Sequence, residues 1–240
     1  MAFDLAAFLD EFGALAAARG FAPRELCATP AGPLVVWERG RGPAAYLSAG
    51  MHGDEPAGPL AALELLRAGS FDAGPWLLCP ALNPTGLAAG TRDNAEGIDL
   101  NRDYLNRRTS EVRAHAAWLE SLPCPRLFHS LHEDWESSGF YFYEINLAED
   151  RPERAAAALD AVAPWFPPEP SEVIDGHGIR GPGWIYHAAE ADLPDDWPEA
   201  IFLAKRGCPL SFTWETPSAK ALADRVAAHV AAVGAVQAIA

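Results

Sequence analysis

Basic residues are scarce in this sequence. Its 240 residues include 18 lysines and arginines against 33 aspartates and glutamates, which gives a formal net charge of −15. Such a charge repels the phosphates of nucleic acids and the head groups of anionic lipids. We therefore expect neither nucleic acid nor a membrane surface among the partners of this chain.

Targeting signals and cysteine motifs are also lacking. No segment has the uncharged apolar run of about 20 residues that a membrane-spanning helix needs. The stretch MAFDLAAFLDEFGALAAARG carries acidic residues and no basic segment followed by an apolar core, so it does not read as a secretory signal. The four cysteines show no CxxC or CxxxC spacing, which argues against a thiolate zinc site or a disulfide framework. We expect a cytoplasmic protein with reduced thiols.

Apolar strands alternate with helical segments along the chain. Apolar residues recur at helical spacing in residues 4–19, 55–69, 110–122, 152–163 and 218–239. Strands are predicted in PLVVWERG, AAYLSAG, PWLLCPALNP, CPRLFHSLHED, GFYFYEINL and CPLSFTWE, and residues 86–109 read as a functional loop. This alternation predicts a three-layer α/β/α sandwich with a mixed, largely parallel central sheet, forming a single domain over residues 1–240.

The stretch AGMHGDEPAG holds a candidate pair of metal ligands, His52 and Glu55, where a predicted strand gives way to a helix. Zinc in hydrolases usually takes three protein ligands, often two His and one Glu. The spacing alone is weak evidence, because a Glu favoured at a helix start beside a polar turn His explains it equally well. His132, at the polar end of RLFHSLH, is the best third candidate, and strand alternation puts His129 on the opposite face.

The remaining histidines and acids have competing interpretations. His115 and His229 lie in predicted helices and read as structural or solvated, whereas His177 and His187, in DGHGIRGPGWIYH, are possible site-lining residues. Glu215, at the end of LSFTWE, suits a general base or is an exposed strand-end carboxylate. Glu133 and Asp134 directly follow His132, and they are rivals for this role or candidates to support the metal ligands from outside.

The loop GTRDNAEGIDLNRDYLNRR concentrates positive charge in an otherwise acidic chain. Arginine's planar guanidinium is suited to gripping a carboxylate, which makes Arg92 and Arg102 candidate substrate contacts. The alternative is local ion pairing with Asp93, Asp99 and Asp103. That alternative accounts best for the two arginines nearest the next helix, Arg107 and Arg108.

Five motifs occur in an ordered set between about residues 45 and 218: HGDE, NPTG, GIDLNRDY, SLH and TWE. Together they resemble the M14 zinc carboxypeptidase family and the related succinylglutamate desuccinylase/aspartoacylase-like hydrolases. The resemblance implies the carboxypeptidase-like α/β/α fold and one Zn²⁺ per chain, held by His52, Glu55 and His132.

The resemblance also implies roles for residues around the metal. Arg92 would polarise the scissile carbonyl, Asn101 and Arg102 would bind the terminal carboxylate of the substrate, and Glu215 would act as general base and acid. Carboxypeptidases usually place a substrate-covering tyrosine upstream of the catalytic glutamate, and Tyr186 in GWIYH matches it by rough location. One helix follows Glu215, which favours a minimal peptidase-like domain without the extra C-terminal β-domain of the aspartoacylase branch.

The leading functional hypothesis is a zinc metallocarboxypeptidase that hydrolyses the C-terminal amide bond of a small peptide. An N-acyl amino acid amidohydrolase uses the same chemistry on another substrate, and a non-catalytic zinc-binding protein of the same fold is a third hypothesis. The preference for a particular substrate side chain stays open. We expect it to be set by pocket residues from 172–187, where Asp175, His177 and Arg180 are equal candidates. The oligomeric state and the metal used in the cell stay open as well.

Overall fold

The computed structural model describes residues 3–239. Its helices are α1 (Leu5–Ala18), α2 (Ala57–Ala68), α3 (Pro84–Ala89), α4 (Ser110–Glu120), α5 (Glu153–Val162), α6 (Glu199–Lys205) and α7 (Leu222–Gln237), with a short 3-10 helix at Leu100–Arg102. Its strands are β1 (Ala22–Thr29), β2 (Gly32–Arg39), β3 (Ala45–Ala49), β4 (Trp76–Cys79), β5 (Leu127–Asp134), β6 (Tyr141–Asn146), β7 (Val173–Ile174), β8 (His177–Gly178), β9 (Trp184–Tyr186) and β10 (Leu210–Pro217).

Eight strands form one mixed sheet in the order β1-β2-β4-β3-β5-β10-β6-β9, and β7 and β8 form a separate hairpin. The centre of the sheet is parallel, since β3 pairs in parallel with β4 and β5, and β5 with β10. Antiparallel pairing joins β1, β2 and β4 on one side and β10 and β6 on the other. The predicted mixed, largely parallel sheet is confirmed.

Helices cover both faces of this sheet. On one face α1, α2, α5 and α7 pack over a core that includes Leu47, Leu131 and Phe212, and on the other α4 and α6 pack over a core that includes Tyr46 and Phe128. Strand alternation sends neighbouring side chains of β3 and β5 to opposite faces. The three-layer arrangement therefore follows from strands that are apolar on both sides, as is typical of parallel sheets.

Some elements differ from the sequence-based prediction. Strand β1 was not predicted because its residues are mostly exposed, so no apolar alternation marks it. Helix α6 lies in a part of the chain for which no element was predicted, and the predicted loop 86–109 contains part of α3 and the 3-10 helix. Among residues 3–239 no helix is both long and apolar enough to cross a membrane.

A buried hydrogen-bond chain lies between the sheet and the layer of α4 and α6. The Glu199 carboxylate accepts from the hydroxyls of Tyr46 and Ser48, each at 2.7 Å. Tyr46 Oη lies 2.8 Å from His115 Nε2, and Tyr104 Oη lies 2.8 Å from His115 Nδ1. Because the Tyr46 proton points at Glu199, His115 Nε2–H donates to Tyr46 and His115 Nδ1 accepts from Tyr104. His115 is thus a structural residue, and burial lowers its pKa to about 3.

Replacing Glu199 with Gln tests this chain through the pH dependence of stability. Burial raises the pKa of Glu199 from 4.5 to about 7, against the hydrogen bonds from Tyr46 and Ser48, so the folded state favours the neutral carboxyl. A raised pKa contributes stability that is present below the unfolded pKa and is lost as pH rises through the folded pKa. We expect the free energy of unfolding of the wild type to fall relative to Glu199→Gln by about 3 kcal/mol between pH 4.5 and pH 8.

Urea unfolding of both proteins across this pH range, with a chelator present, measures the difference. The exposed Glu136→Gln variant serves as the control and should follow the wild type. Parallel pH profiles for the wild type and Glu199→Gln would show that Glu199 is ionised in the folded protein throughout the range.

Candidate metal centre and active site

Three predicted ligands meet at the carboxyl ends of β3 and β5. His52 and Glu55 lie in the turn after β3, and His132 lies on β5, the parallel neighbour of β3. Glu55 Oε1 is 2.6 Å from His52 Nδ1, and Glu55 Oε2 is 3.0 Å from His132 Nδ1. One ligand atom from each residue lies within 4.8 Å of the others, and all three residues are buried.

The turn that carries His52 depends on a close backbone contact. A Cβ atom on Gly53 would lie 1.8 Å from the carbonyl carbon of Gly86, so only glycine fits there. The Gly53 N–H also donates to the Thr91 carbonyl at 2.9 Å. The HGDE and NPTG motifs are therefore in direct contact, and the helix that follows begins at Ala57, two residues after Glu55.

The hydrogen bonds of His52 identify which ring nitrogen faces the cluster. His52 Nε2 lies 3.2 Å from Asp99 Oδ1, a carboxylate that accepts, so Nε2 carries the proton. In the neutral ring the lone pair is then on Nδ1, 2.6 Å from a Glu55 oxygen that also only accepts. Two acceptors this close need a proton or a cation between them.

When no metal is bound, a proton lies between His52 Nδ1 and the Glu55 carboxylate. Burial by itself would lower the pKa of His52, but the negative charges of Glu55 and Asp99 outweigh burial and raise this pKa to about 9. Burial alone would raise the pKa of Glu55, but His52 and His132 hold this pKa well below its usual range. Two imidazole Nδ1 atoms, one carboxylate and an outer carboxylate that orients a ligand histidine form a donor set that fits a zinc-like divalent ion.

Asp99 has a role that the sequence-based reading missed. Besides His52, it accepts from the Asn101 backbone N–H at 2.8 Å and from the Arg92 guanidinium at 2.8 and 3.1 Å. Burial alone would raise the pKa of Asp99, but the hydrogen bond and charge of His52 and the charges of Arg92 and Arg102 hold this pKa low. The sequence reading treated Asp99 only as a partner for arginines, and its place within the GIDLNRDY motif was the available signal.

Glu215 lies beside the three ligands because of strand register. On β10 it pairs with His132 of the parallel strand β5 and with Tyr141 of β6, so its side chain leaves the sheet on the same face as His132. Burial, together with the negative charges of Glu55 and Asp134, raises the pKa of the half-buried Glu215 well above its usual range. A carboxyl group in this position favours holding a proton, as a general acid requires.

The two rival acids have other partners. Glu133 accepts from the Ala57 N–H at the start of α2, at 2.7 Å, and forms an ion pair with Arg225 of α7. Asp134 accepts from the Tyr141 hydroxyl at 3.1 Å. Glu133 therefore joins two helices to β5, and Glu215 is the acid in register with His132.

Among the loop arginines, Arg92 faces the ligand cluster, whereas Arg107 and Arg108 form ion pairs away from it. Arg92 Nη1 lies 3.3 Å from His52 Nδ1 and 3.8 Å from Glu55 Oε1, so its charge faces the ligand cluster. Arg108 pairs with Asp103, one of the expected partners, whereas Arg107 pairs with Glu120, which was not among them.

Asn101 and Arg102 present donors to the same space. Asn101 Oδ1 accepts from the backbone N–H of Glu199 at 3.0 Å, which leaves its Nδ2 group as the donating end. Arg102 Nη1 donates to the Asn101 carbonyl at 3.0 Å. The predicted residues that line one cavity of about 560 Å³ are His52, Glu55, Arg92, Asn101, Arg102, His132 and Glu215.

The expectation for Tyr186 is corrected by the structure. Tyr186 pairs with Glu144 in the β6–β9 register, so it faces the opposite side of the sheet from Tyr143, which lines the cavity. The residue is 38% exposed, and the Arg180 guanidinium lies over its ring, 4.6 Å from the ring centroid. The cavity tyrosines are Tyr141 and Tyr143, which the alternation in GFYFYEINL could have indicated.

The three candidates for setting the substrate side-chain preference lie in two different places. Asp175 and His177 line the cavity. Arg180 lies with Tyr186 and pairs with Asp150 at 2.7 Å. Asp175 accepts from the Tyr143 hydroxyl at 2.8 Å, which fixes it at the cavity wall.

A family model for the succinylglutamate desuccinylase/aspartoacylase catalytic domain matches residues 41–163, which include all three candidate ligands and the arginine-rich loop. The chain belongs to this family. Among curated proteins none matches the chain.

Solved structures place this member of the desuccinylase/aspartoacylase family among metallopeptidase folds. A protein of Shewanella denitrificans assigned to the metallopeptidases is 26% identical, with a TM-score of 0.85 over 98% of this chain and 90% of that one. A metallo-carboxypeptidase from Burkholderia cenocepacia is 20% identical, with a TM-score of 0.71 over 97% and 67%. Bovine thrombin-activatable fibrinolysis inhibitor is 14% identical, with a TM-score of 0.69 over 99% and 97%. The fold is therefore that of the metallocarboxypeptidases.

Asp99→Asn tests whether the outer carboxylate supports metal binding. The substitution removes the charge that orients the His52 ring, and losing such an outer partner typically lowers metal affinity by about 10–100-fold. We expect this loss in a zinc titration with a competing chelator. Asp93→Asn, in the same loop, is the matched control and should bind zinc like the wild type. Equal zinc affinities for Asp99→Asn and Asp93→Asn would show that Asp99 does not support metal binding.

Proposed function

We propose that the protein is a zinc metallocarboxypeptidase that hydrolyses the C-terminal amide bond of a small peptide, working as one catalytic domain over residues 1–240. The observation that carries the proposal is the register of β5 and β10, which sets Glu215 beside His132 in a cavity that also holds two guanidinium groups. A cytoplasmic location remains a prediction.

The metal would be held by His52, Glu55 and His132, and when bound it supplies a Lewis acid for water and for the scissile carbonyl. Glu215 takes the proton of the attacking water, since its carboxyl shares the face of His132. It then delivers this proton to the nitrogen of the departing amine.

Arg92 stabilises the charge that develops on the carbonyl oxygen. Its guanidinium is held by Asp99 and directed at the ligand cluster, so the donor is in place before the reaction. Asn101 Nδ2 and the Arg102 guanidinium bind the free carboxylate of the substrate and set the scissile amide next to Glu215. Charge-assisted contacts of this kind also orient the substrate.

Glu215→Gln tests the proton-transfer role. General acid–base catalysis by one side chain typically contributes about 10²–10⁴-fold, so we expect kcat to fall by that factor while zinc content stays unchanged. Glu136→Gln, another acid lining the cavity, is the control and should keep the wild-type rate. Near wild-type hydrolysis by zinc-loaded Glu215→Gln would refute the assignment.

An N-acyl amino acid amidohydrolase is the second candidate, because the matching family model is that of desuccinylases and aspartoacylases. Both candidates cleave an amide next to a free carboxylate, and they differ in the group on the acyl side. A non-catalytic zinc-binding protein is less favoured, since such a protein has no chemical need for both Glu215 and Arg102.

A substrate panel separates the first two candidates. We expect N-blocked dipeptides to be hydrolysed with at least tenfold higher kcat/KM than N-acetyl or N-succinyl amino acids. Capping the substrate carboxylate as an amide should lower kcat/KM by about tenfold or more, because charge-assisted hydrogen bonds are worth about 1.5–3 kcal/mol. The opposite ranking of peptides and N-acyl amino acids would favour the amidohydrolase.

A further inference from the structure

A second cluster of metal-ligating groups lies at the wall of the same cavity. His177, His187 and Asp192 each offer a ligand atom within 4.8 Å of the others, and all three line the cavity. Asp192 Oδ2 is 3.3 Å from His177 Nε2, and Asp192 Oδ1 is 3.4 Å from His187 Nε2. Donor atoms of a tetrahedral site with metal–ligand bonds of about 2.0–2.1 Å lie about 3.3–3.4 Å apart. Each imidazole Nε2 lies at this distance from one oxygen of the Asp192 carboxylate, Oδ2 for His177 and Oδ1 for His187.

The hydrogen bonding of His187 prepares Nε2 as a ligand. His187 Nδ1 lies 2.5 Å from the backbone carbonyl of Ala188, which only accepts, so Nδ1 carries the proton. The lone pair of the neutral ring is therefore on Nε2, which faces the acceptor oxygen of Asp192. Metal-binding histidines almost always donate their other ring N–H to a carbonyl or carboxylate, as His187 does.

Packing holds both imidazoles in place. The Tyr143 ring meets the His177 and His187 rings edge-on, with centroids 5.7 and 5.9 Å apart, and the two imidazole centroids are 4.7 Å apart. The His187 backbone N–H donates to the Glu144 carbonyl of β6 at 2.8 Å. His177 and His187 are thus anchored on β8 and the end of β9, whereas Asp192 is on the segment 188–198, with its side chain 64% exposed.

We propose that His177, His187 and Asp192 form a second site for a divalent transition-metal ion such as Zn²⁺. This site is separate from the three-ligand centre of His52, Glu55 and His132, and it goes beyond the one zinc per chain that the sequence implies. Two imidazoles and one carboxylate suit zinc and its neighbours in the first transition row. Bound metal joins the segment 188–198 to β8 and β9 and thereby fixes one wall of the cavity.

Metal stoichiometry of a matched set of variants tests the proposal. Zinc content is measured after equilibration in micromolar buffered Zn²⁺, and Co²⁺ absorption reports the coordination of each site. We expect two equivalents in the wild type, one in His187→Gln, one in His132→Gln and none in the double variant. Asp192→Asn should weaken the second site by at least about 100-fold, more than loss of an outer partner does. Far-UV circular dichroism checks that every variant is folded.

Hydrogen exchange provides an independent measurement on His132→Gln, where only the second site remains. Zinc should slow exchange in the segment 188–198 of His132→Gln at least tenfold and leave the double variant unchanged. One equivalent in the wild type overturns the proposal, as does second-site affinity that survives both His187→Gln and Asp192→Asn. Binding that needs millimolar metal also overturns it. Because these readouts involve no substrate, they are independent of the proposed peptidase activity.

Discussion

The parallel pairing of β5 with β3 on one side and with β10 on the other is the constraint on which the site depends. It brings together the carboxyl ends of three strands that are distant in sequence, where ligands bind in open α/β sheets. In this register Glu215 and His132 share one face. A slip of one residue would turn Glu215 towards the helical layer of α7, because side chains alternate along a strand. The apolar residues between these polar positions therefore determine the site as firmly as the polar ones do.

A recurring electrostatic pattern connects the two clusters of the cavity. In each, a histidine donates one ring N–H to a fixed acceptor, Asp99 Oδ1 for His52 and the Ala188 carbonyl for His187. In each, the lone pair on the other nitrogen then faces a carboxylate oxygen. Two acceptors in contact repel unless a cation lies between them. The difference is burial: the first cluster is buried, whereas Asp192 is largely exposed and lies closer to solvent.

Strand periodicity was enough to predict the layered fold, and the resemblance of the ordered motifs to a known family was enough to predict that His52, Glu55 and His132 lie together. His129 is an example: strand alternation predicts its face, and the structure has it accepting from the Trp214 indole on the face opposite His132. Other features depend on tertiary contact. The role of Asp99 needs the position of the His52 ring, and the place of Tyr186 needs the β6–β9 register. Neither can be read from spacing along one chain.

Helix α6, which was not predicted from the sequence, links Asn101 to the segment that carries Asp192. The first residue of α6 is Glu199, whose backbone N–H donates to Asn101 Oδ1. Its carboxylate accepts hydrogen bonds from the hydroxyls of Tyr46 and Ser48. The segment 188–198 leads directly into this residue. Fixing Asp192 to β8 and β9 therefore restricts the chain just before the residue that orients Asn101. A metal at the outer cluster would therefore restrain the chain next to Asn101 as well as the cavity wall that His177, His187 and Asp192 form.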